Sequence, residues 1–203
     1  MIAVRITDTR KFMSDLFSRP VFDSFLVGEA QITTYTTFRI DGSWHPEYFS
    51  DSASSDKAAS SNALADSNAA AAGNAQADGS AASEGKGGTV QTQEPSSFQE
   101  PTWGRLRQLA CAMVSGKHSP VSFRIVLKLS EKGIQNVLTA GGVSCSPEQV
   151  GGLFINISYQ NKEVTCTSGT SMKAFTLDRS LDLVWDQMML KLFSAKGISA
   201  EEL

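Results

Sequence analysis

The hydrophobic pattern of residues 1–49 predicts one helix between strands. Large apolar residues occupy every second position from Ile2 to Ile6, which is typical of a half-buried strand. Asp8 is a good helix N-cap, and apolar residues then recur at helical spacing until Pro20 ends the run. Over residues 25–41 β-branched and aromatic residues predominate, which predicts two strands or one long bent strand. A short return strand or an irregular segment is expected to follow, up to residue 49.

The alternating pattern of strands and the helical spacing of apolar residues both return after residue 101. Thr102 predicts the N-cap of a helix that ends at Gly116, and Ser130 precedes a second, shorter helix that ends at Gly141. Between these helices, residues 122–129 place apolar residues at every second position from Phe123 to Leu129 and give the clearest strand pattern in the chain. The first helix should bury one apolar stripe, formed by Trp103, Leu106, Leu109, Ala110 and Met113.

The region that follows predicts a hairpin and one more strand. Residues 153–167 have two strand-like runs around an Asn161-Lys162 turn. A second turn at 168–170 is expected to lead into a strand over 172–177.

A closing helix completes the fold prediction. It begins near Asp178, and its inward face carries Leu181, Val184, Trp185, Met188, Leu192 and Phe193. Together the elements predict an α+β domain with an antiparallel sheet or sheets and about four helices. Each half of the chain runs strand, helix and then a meander of strands. A duplicated β-α-β-β(-β) unit would explain this order, and so would the frequent occurrence of the pattern in unrelated proteins.

Composition indicates one domain whose two halves are separated by an insert of different composition. From about residue 50 to 100 the sequence is mostly Ala, Ser, Gly, Asn, Asp and Gln, with almost no large apolar side chain to offset the entropy of ordering. We therefore expect a disordered low-complexity insert at 50–100 between a first half of the domain, 1–49, and a second half, 101–197. Residues 198–203 are expected to form a flexible tail. The two halves have roughly 150 residues together, enough for one sizeable core.

Charge and cysteine content narrow the cellular setting. The net charge is −3 for the 203 residues, but the insert carries seven acids and two bases, so the remainder is near +2. That value indicates neither a strong nucleic-acid footprint nor a repulsive acidic surface. Cys111, Cys145 and Cys166 are an odd number at unpatterned spacings, which disfavours a disulfide framework and indicates a reducing compartment. No apolar run suits a signal peptide or a membrane span, so a cytoplasmic protein with no membrane partner is expected.

Candidate catalytic groups are few. His45 and His118 are the two histidines, and neither lies in a metal-binding spacing, so neither a metal nor another cofactor is predicted. Cys145 falls in a predicted loop and is the cysteine most expected to be exposed, whereas Cys111 and Cys166 fall on a helix and a strand. One hypothesis is therefore a small hydrolase or transferase that uses Cys145 or His118.

A hydroxyl-rich segment, 165–171, resembles a phosphate-binding loop and is followed by Lys173. It has too few glycines for a P-loop, and strand-like residues flank it where a P-loop has a helix. A tight hairpin turn is the preferred interpretation, and it assigns no catalytic residue to the segment.

Basic residues are spread over several predicted elements. Helices that share one face of a sheet would gather Arg10, Lys11, Arg105 and Arg107 into a surface able to bind nucleic-acid phosphates. A scatter of solvated charges is the alternative, because acids are interspersed throughout the sequence.

Three blocks of sequence carry a family resemblance. They are Ile6-Thr7-Asp8 with Lys11-Phe12-Met13, Ile32-Thr33-Thr34 with Phe38-Arg39-Ile40-Asp41-Gly42, and residues 152–157 and 167–178 continuing to Trp185-Asp186. These blocks resemble an uncharacterised bacterial family, found mainly in Firmicutes, which is a domain of unknown function. The resemblance therefore implies no catalytic residue. In topology alone, the order strand, helix and meander also resembles the unit of sliding DNA clamps, which would turn the basic helices toward DNA.

The sequence as a whole favours a non-catalytic binding module over an enzyme. The chain has the residues for a good core, but no cluster of titratable residues suited to chemistry. A protein partner is expected, with DNA as the partner if the arrangement is clamp-like.

Overall fold

Seven strands form one antiparallel sheet in the structure, a computed structural model that describes residues 1–43, 45 and 101–203. The strands are β1 (Ala3–Ile6), β2 (Leu26–Thr33), β3 (Thr37–Ile40), β4 (Ser122–Lys128), β5 (Val150–Gln160), β6 (Glu163–Met172) and β7 (Ala200–Glu202). They lie in the order β3-β2-β4-β5-β6-β1-β7. The predicted α+β class is confirmed. The expectations for the insert at 50–100 and for the segment just before it fall on residues outside this description, apart from His45.

Four α-helices join the strands in the described part of the chain. They are α1 (Thr9–Phe17), α2 (Trp103–Val114), α3 (Glu131–Gly141) and α4 (Ser180–Ala195), with a short 3-10 turn at Pro147–Gln149. The predicted cap at Asp8 forms, because its side chain accepts a hydrogen bond from the N–H of Lys11. Thr102 is the residue before α2, as predicted, but its side chain makes no capping hydrogen bond. Ser130 caps α3 by accepting a hydrogen bond from the N–H of Gly133. The predicted β5-β6 turn also forms, and Asn161 there has a φ of 53°.

The helices cover one face of the sheet, and the core lies between the two layers. Buried residues alternate along the strands on this face and include Val27, Ile32, Phe123, Ile125, Leu153, Ile155, Ile157, Val164 and Val4. Helix α1 lies between α2 and α4, since Phe17 packs edge-on against Trp103 at 6.0 Å and Phe12 packs against Phe193 at 6.5 Å. The indole of Trp103 also donates a hydrogen bond of 2.8 Å to the carbonyl of Leu16. We call the opposite face of the sheet the outer face.

The sheet order does not repeat between the two halves of the chain. In the second half β4 lies directly beside β5, whereas in the first half three strands separate β1 from β2. Strand β1 instead lies between β6 and β7, where Val4 is opposite both Cys166 and Glu202. The two β-α-β-β segments therefore occupy non-equivalent places in the sheet.

Three regions differ from the predictions. Residues 198–203, expected to be a flexible tail, contain β7, which pairs with β1 and adds an edge to the sheet. The turn expected at 168–170 is absent, because β6 continues to Met172, and residues 173–179 form an exposed loop where a strand was predicted. The α2 stripe is also narrower than expected, since Leu109 is 52% exposed.

Candidate functional site

Lys11, one of the four predicted nucleic-acid-binding residues, lies where α1 meets the end of α4. Its ammonium contacts Oδ2 of Asp15 at 2.5 Å and the carbonyl oxygen of Lys196 at 3.3 Å. Asp15 is only 1% exposed, and Arg19 contacts its other oxygen at 3.3 Å. Because a buried carboxylate requires charged or hydrogen-bonding partners, Lys11 serves to neutralise Asp15. Arg10, the neighbouring predicted residue, is exposed.

Arg107 lies on the other side of α1, where α2 meets residues 18–23. Its Nε and NH2 groups donate to the two oxygens of Asp23 at 2.8 and 3.2 Å, and NH1 donates to the carbonyl of Ser18 at 2.7 Å. This two-pronged geometry is the strongest form of an arginine–carboxylate pair. Arg105, two residues earlier on α2, is exposed. Lys11 and Arg107 are thus paired with carboxylates, at opposite borders of α1.

His118 and Cys145 lie toward opposite ends of the sheet. His118 is in the loop before β4, and Ser122 at the start of β4 is opposite Gln160 at the end of β5. Cys145 precedes the start of β5 at Val150. Since β5 has 11 residues, the two ends are about 30 Å apart at roughly 3.3 Å per residue. A cysteine–histidine pair of these two residues is therefore not formed.

The other two cysteines occupy structural positions. Cys166 is fully buried in β6, and burial raises the pKa of its thiol far above the ordinary value, so that it stays protonated. Cys111 is half-buried on α2, with its sulfur 3.7 Å from the hydroxyl of Ser115. All three cysteines are free thiols.

The hydroxyl-rich segment 165–171 is extended strand, so the expected hairpin turn there is wrong. Ser168 is fully buried, donates a hydrogen bond to Asp186 on α4, and accepts one of 2.8 Å from the N–H of Ile2. Thr170 donates to Asp182, which lies one helical turn before Asp186. Two residues along a strand and four along a helix both advance by roughly 6 Å, so the hydroxyls and carboxylates match in spacing. The segment therefore fastens β6 to α4 and does not form a phosphate-binding loop.

A cleft of about 240 Å³ opens beside the loop at 173–179. We call it the loop cleft. Its lining residues are Val143, Cys145, Gln149, Met172, Ala174, Phe175, Thr176, Asp178 and Leu181. Two large apolar side chains of the loop lie in solvent, with Phe175 91% and Leu177 86% exposed. At the loop cleft Cys145, a predicted candidate, meets other groups at a concave surface.

Asp178 supplies negative charge to the loop cleft. Its Oδ1 accepts hydrogen bonds from the hydroxyl of Ser180 at 2.5 Å and from the N–H of Ser180 at 2.8 Å. These two bonds lower the pKa of the Asp178 carboxyl, so it is ionised at neutral pH. The N–H of Asp178 donates to the hydroxyl of Thr176 at 3.1 Å, which shapes the end of the loop.

Sequence reasoning missed the exposure of the loop at 173–179. Phe175 and Leu177 alternate with smaller residues, and this pattern is the same for a half-buried strand and for a loop that exposes both side chains. A signal did exist for the neighbouring contacts. Asp182 and Asp186 are four residues apart on a predicted helix, and Ser168 and Thr170, two residues apart, precede that helix in the sequence.

Among the residues that the structure describes, no group of three or more His, Cys, Asp or Glu side chains could hold a metal ion. Every helix in this part of the chain is too short or too polar to span a bilayer. Comparison with curated proteins and with solved structures gave no match in either case.

A family model described as a family of unknown function, DUF5721, matches residues 15–69 and 63–201. Because these ranges cover most of the sequence, the chain belongs to the DUF5721 family of unknown function.

Proposed function

We propose that this protein is a non-catalytic protein-interaction module and that the loop cleft is its docking site. The observation that carries the proposal is the exposure of Phe175 and Leu177 beside a concave surface. Large apolar side chains grouped on a surface mark interaction sites, and aromatic residues are enriched among those that contribute most to binding. Burial of these two side chains against a partner would supply the main driving force for association.

The lining of the loop cleft defines the chemistry of the partner. Val143, Met172 and Leu181 provide apolar walls, and Asp178 adds one ionised carboxylate. At about 240 Å³ the cleft is smaller than typical ligand pockets of roughly 300–1,000 Å³, so it suits a single side chain of a larger molecule. The partner in this proposal is a protein segment that presents a large apolar residue to the cleft and a lysine or arginine to Asp178.

A bacterial cytoplasmic setting belongs to the same proposal. It is supported by three free thiols, which are typical of proteins in a reducing compartment.

The alternative function is that of a small hydrolase or transferase. Such an enzyme would use either Cys145, which lines the loop cleft, or His118 without a cysteine partner. The rate of alkylation of Cys145 distinguishes the enzyme from the interaction module. A nucleophilic Cys145 would react with iodoacetamide near pH 6, whereas an ordinary thiol, with a pKa of about 8.5, would react at an appreciable rate only at higher pH.

Duplex DNA has less support as the partner, because Lys11 and Arg107 already pair with Asp15 and Asp23. We expect the wild-type protein to pass through a duplex-DNA column at low ionic strength. Salt-sensitive retention that disappears when Arg10 and Arg105 are both changed to Glu would contradict this and favour the clamp-like arrangement.

The docking site is tested with peptides selected from a displayed random library on the full-length protein. We expect an enriched motif with a large apolar residue close to Lys or Arg. A synthetic peptide of that motif should lose at least about tenfold in affinity toward the double variant Phe175→Ala, Leu177→Ala. Toward Tyr35→Ala, which removes another exposed aromatic side chain from a distant turn, its affinity should not change.

A second readout identifies the cleft itself. Bound peptide should slow alkylation of Cys145, measured by mass spectrometry of the native protein, and leave the rate at Cys111 unchanged. A selected peptide that binds the double variant as tightly as the wild type, or that fails to protect Cys145, would place the docking site elsewhere.

A further inference from the structure

Three arginines lie in one register row on the outer face of the sheet. Strand pairing aligns the row across β3, β2, β4, β5, β6, β1 and β7 as Arg39, Gln31, Arg124, Ser158, Thr165, Arg5 and Glu201. Neighbouring strands are about 4.8 Å apart, so the backbone of Arg124 lies roughly 10 Å from that of Arg39 and roughly 14 Å from that of Arg5. The row therefore holds three separate cationic positions.

Carboxylates neutralise two of these positions. Arg39 contacts Glu29 at 3.3 Å, and Arg5 contacts Glu201 at 3.0 Å. The guanidinium of Arg124 makes no ion pair or hydrogen bond with any residue in the described part of the chain. Because a guanidinium stays charged at every physiological pH, Arg124 leaves one uncompensated positive charge in the middle of the row.

Arg124 lies at a hollow of about 220 Å³ between β2, β4 and β5. The lining residues are Gln31, Thr33, Ser122, Phe123, Arg124, Ser158, Tyr159 and Gln160. Four of them, Gln31, Ser122, Ser158 and Gln160, have side chains that make no hydrogen bond to a described residue. The hollow thus combines one cationic fork with neutral hydroxyl and amide donors that are also unused.

We propose that this hollow, the Arg124 site, binds a carboxylate side chain of an acidic peptide segment. A guanidinium fork matches the two oxygens of a carboxylate, and the adjacent hydroxyl and amide groups can donate to the remaining lone pairs. The single uncompensated charge matches a singly charged carboxylate, while a nucleic-acid backbone would need several unpaired cations along the row. The small volume admits one side chain rather than a complete metabolite. The Arg124 site is separate from the loop cleft and does not depend on the proposal made for it.

The test uses the full-length protein labelled with nitrogen-15, and it follows the resonances of the Arg124 side chain and of the Ser122 and Ser158 amides. The probe is hexaglutamate with blocked ends, and the neutral control is blocked hexaglutamine. Hexaglutamate should shift these resonances saturably, and hexaglutamine should not. Arg124→Gln should weaken binding by about tenfold or more, and Arg124→Lys, which keeps the charge but not the fork, should weaken it by less.

Arg10→Gln is the matched control, because it removes the same charge from an exposed position on α1 and away from the outer face. Its affinity for hexaglutamate should stay within about twofold of the wild type. Equal losses in Arg10→Gln and Arg124→Gln would show attraction by net charge alone and would overturn the proposal. So would the absence of a saturable shift in a wild-type protein with a well-dispersed spectrum. Binding of free acetate as tight as that of hexaglutamate would identify a small carboxylate, not a peptide, as the ligand.

Discussion

The hydroxyl of Ser168 donates a hydrogen bond to the carboxylate of Asp186, and this contact joins β6 to α4 inside the protein. The same hydroxyl accepts the N–H of Ile2, so one small side chain connects β6 with two other parts of the chain. A polar residue is tolerated at this fully buried position because both its donor and its acceptor capacity are used.

Ser168→Ala should destabilise the protein by about 1–3 kcal/mol, because it leaves the partly buried N–H of Ile2 and one partly buried oxygen of Asp186 without this partner. Thr170→Ala is the matched control. Thr170 makes the equivalent contact with Asp182 but is only half-buried, so its loss should cost less. Urea unfolding followed by circular dichroism measures both, and equal costs would contradict the role assigned to burial.

Trp185→Ala should cost about 3–5 kcal/mol in the free energy of unfolding, because the ring is buried between α4 and the sheet. Its indole N–H also donates to the carbonyl of Phe154 at 3.0 Å. Trp185→Phe keeps most of the ring and removes this donor, so its cost should be nearer 1 kcal/mol. An unchanged urea midpoint for Trp185→Ala would show that the ring is not part of the core.

Charge reversal should destabilise the protein at Arg107 and leave its stability almost unchanged at Arg10. Arg107→Glu replaces a partly buried donor, 17% exposed, and sets a carboxylate against Asp23, so we expect a loss of at least about 2 kcal/mol. Arg10→Glu changes the same charge on an exposed side chain and should leave thermal unfolding almost unchanged, within about 0.5 kcal/mol. If Arg107→Glu unfolds at the wild-type temperature, the pair with Asp23 contributes nothing to stability.

The buried thiol of Cys166 predicts a loss of stability in alkaline solution. Its pKa is raised in the folded state, so above the ordinary thiol pKa of about 8.5 the unfolded chain releases a proton that the folded protein retains. Stability should then fall with rising pH by up to about 1.4 kcal/mol per unit from this group. Other groups titrate in the same range, so the measured quantity is the difference from Cys166→Ala.

At neutral pH the wild type should be the more stable of the two, because Cys166→Ala leaves a small cavity. The difference should shrink as the pH passes 9 and then change sign. A constant difference from pH 7 to 10 would mean that the thiol ionises as easily in the folded protein as in the unfolded chain.

Local sequence patterns were sufficient where one nearby interaction decides the conformation. The strand around Ile125, the cap at Asp8 and the turn at Asn161 each depend on neighbours in the sequence, and all three are confirmed. The pattern failed where a distant partner decides. Ser168 suggests a turn when it is considered alone, but in the structure it pairs with Ile155 in a buried strand and its hydroxyl donates to Asp186.

The candidate sites were harder to predict than the fold. Lys11 contacts the carboxylate of Asp15, which lies on the buried side of α1. The helical spacing of apolar residues does not show that this side of the helix also buries a carboxylate. The isolation of Arg124 depends on register across three strands, and no single strand contains that information. The exposure of Phe175 follows from where β6 stops pairing, which alternation of residue size also leaves open.

The position of β1 between β6 and β7 implies a particular course of folding. Ile2 and Ser168 are separated by 166 residues in sequence, yet they are hydrogen-bonded neighbours. During synthesis β1 emerges from the ribosome long before either of its neighbouring strands exists, so it must wait without a partner while the hairpin of β5 and β6 is completed. Closing so long a loop has an entropic cost, and the strand contacts that offset it form only after the loop has closed. Proteins with such high contact order fold slowly. A chaperone that holds the early part of the chain would therefore be expected to raise the yield of native protein more than one that acts on the completed chain.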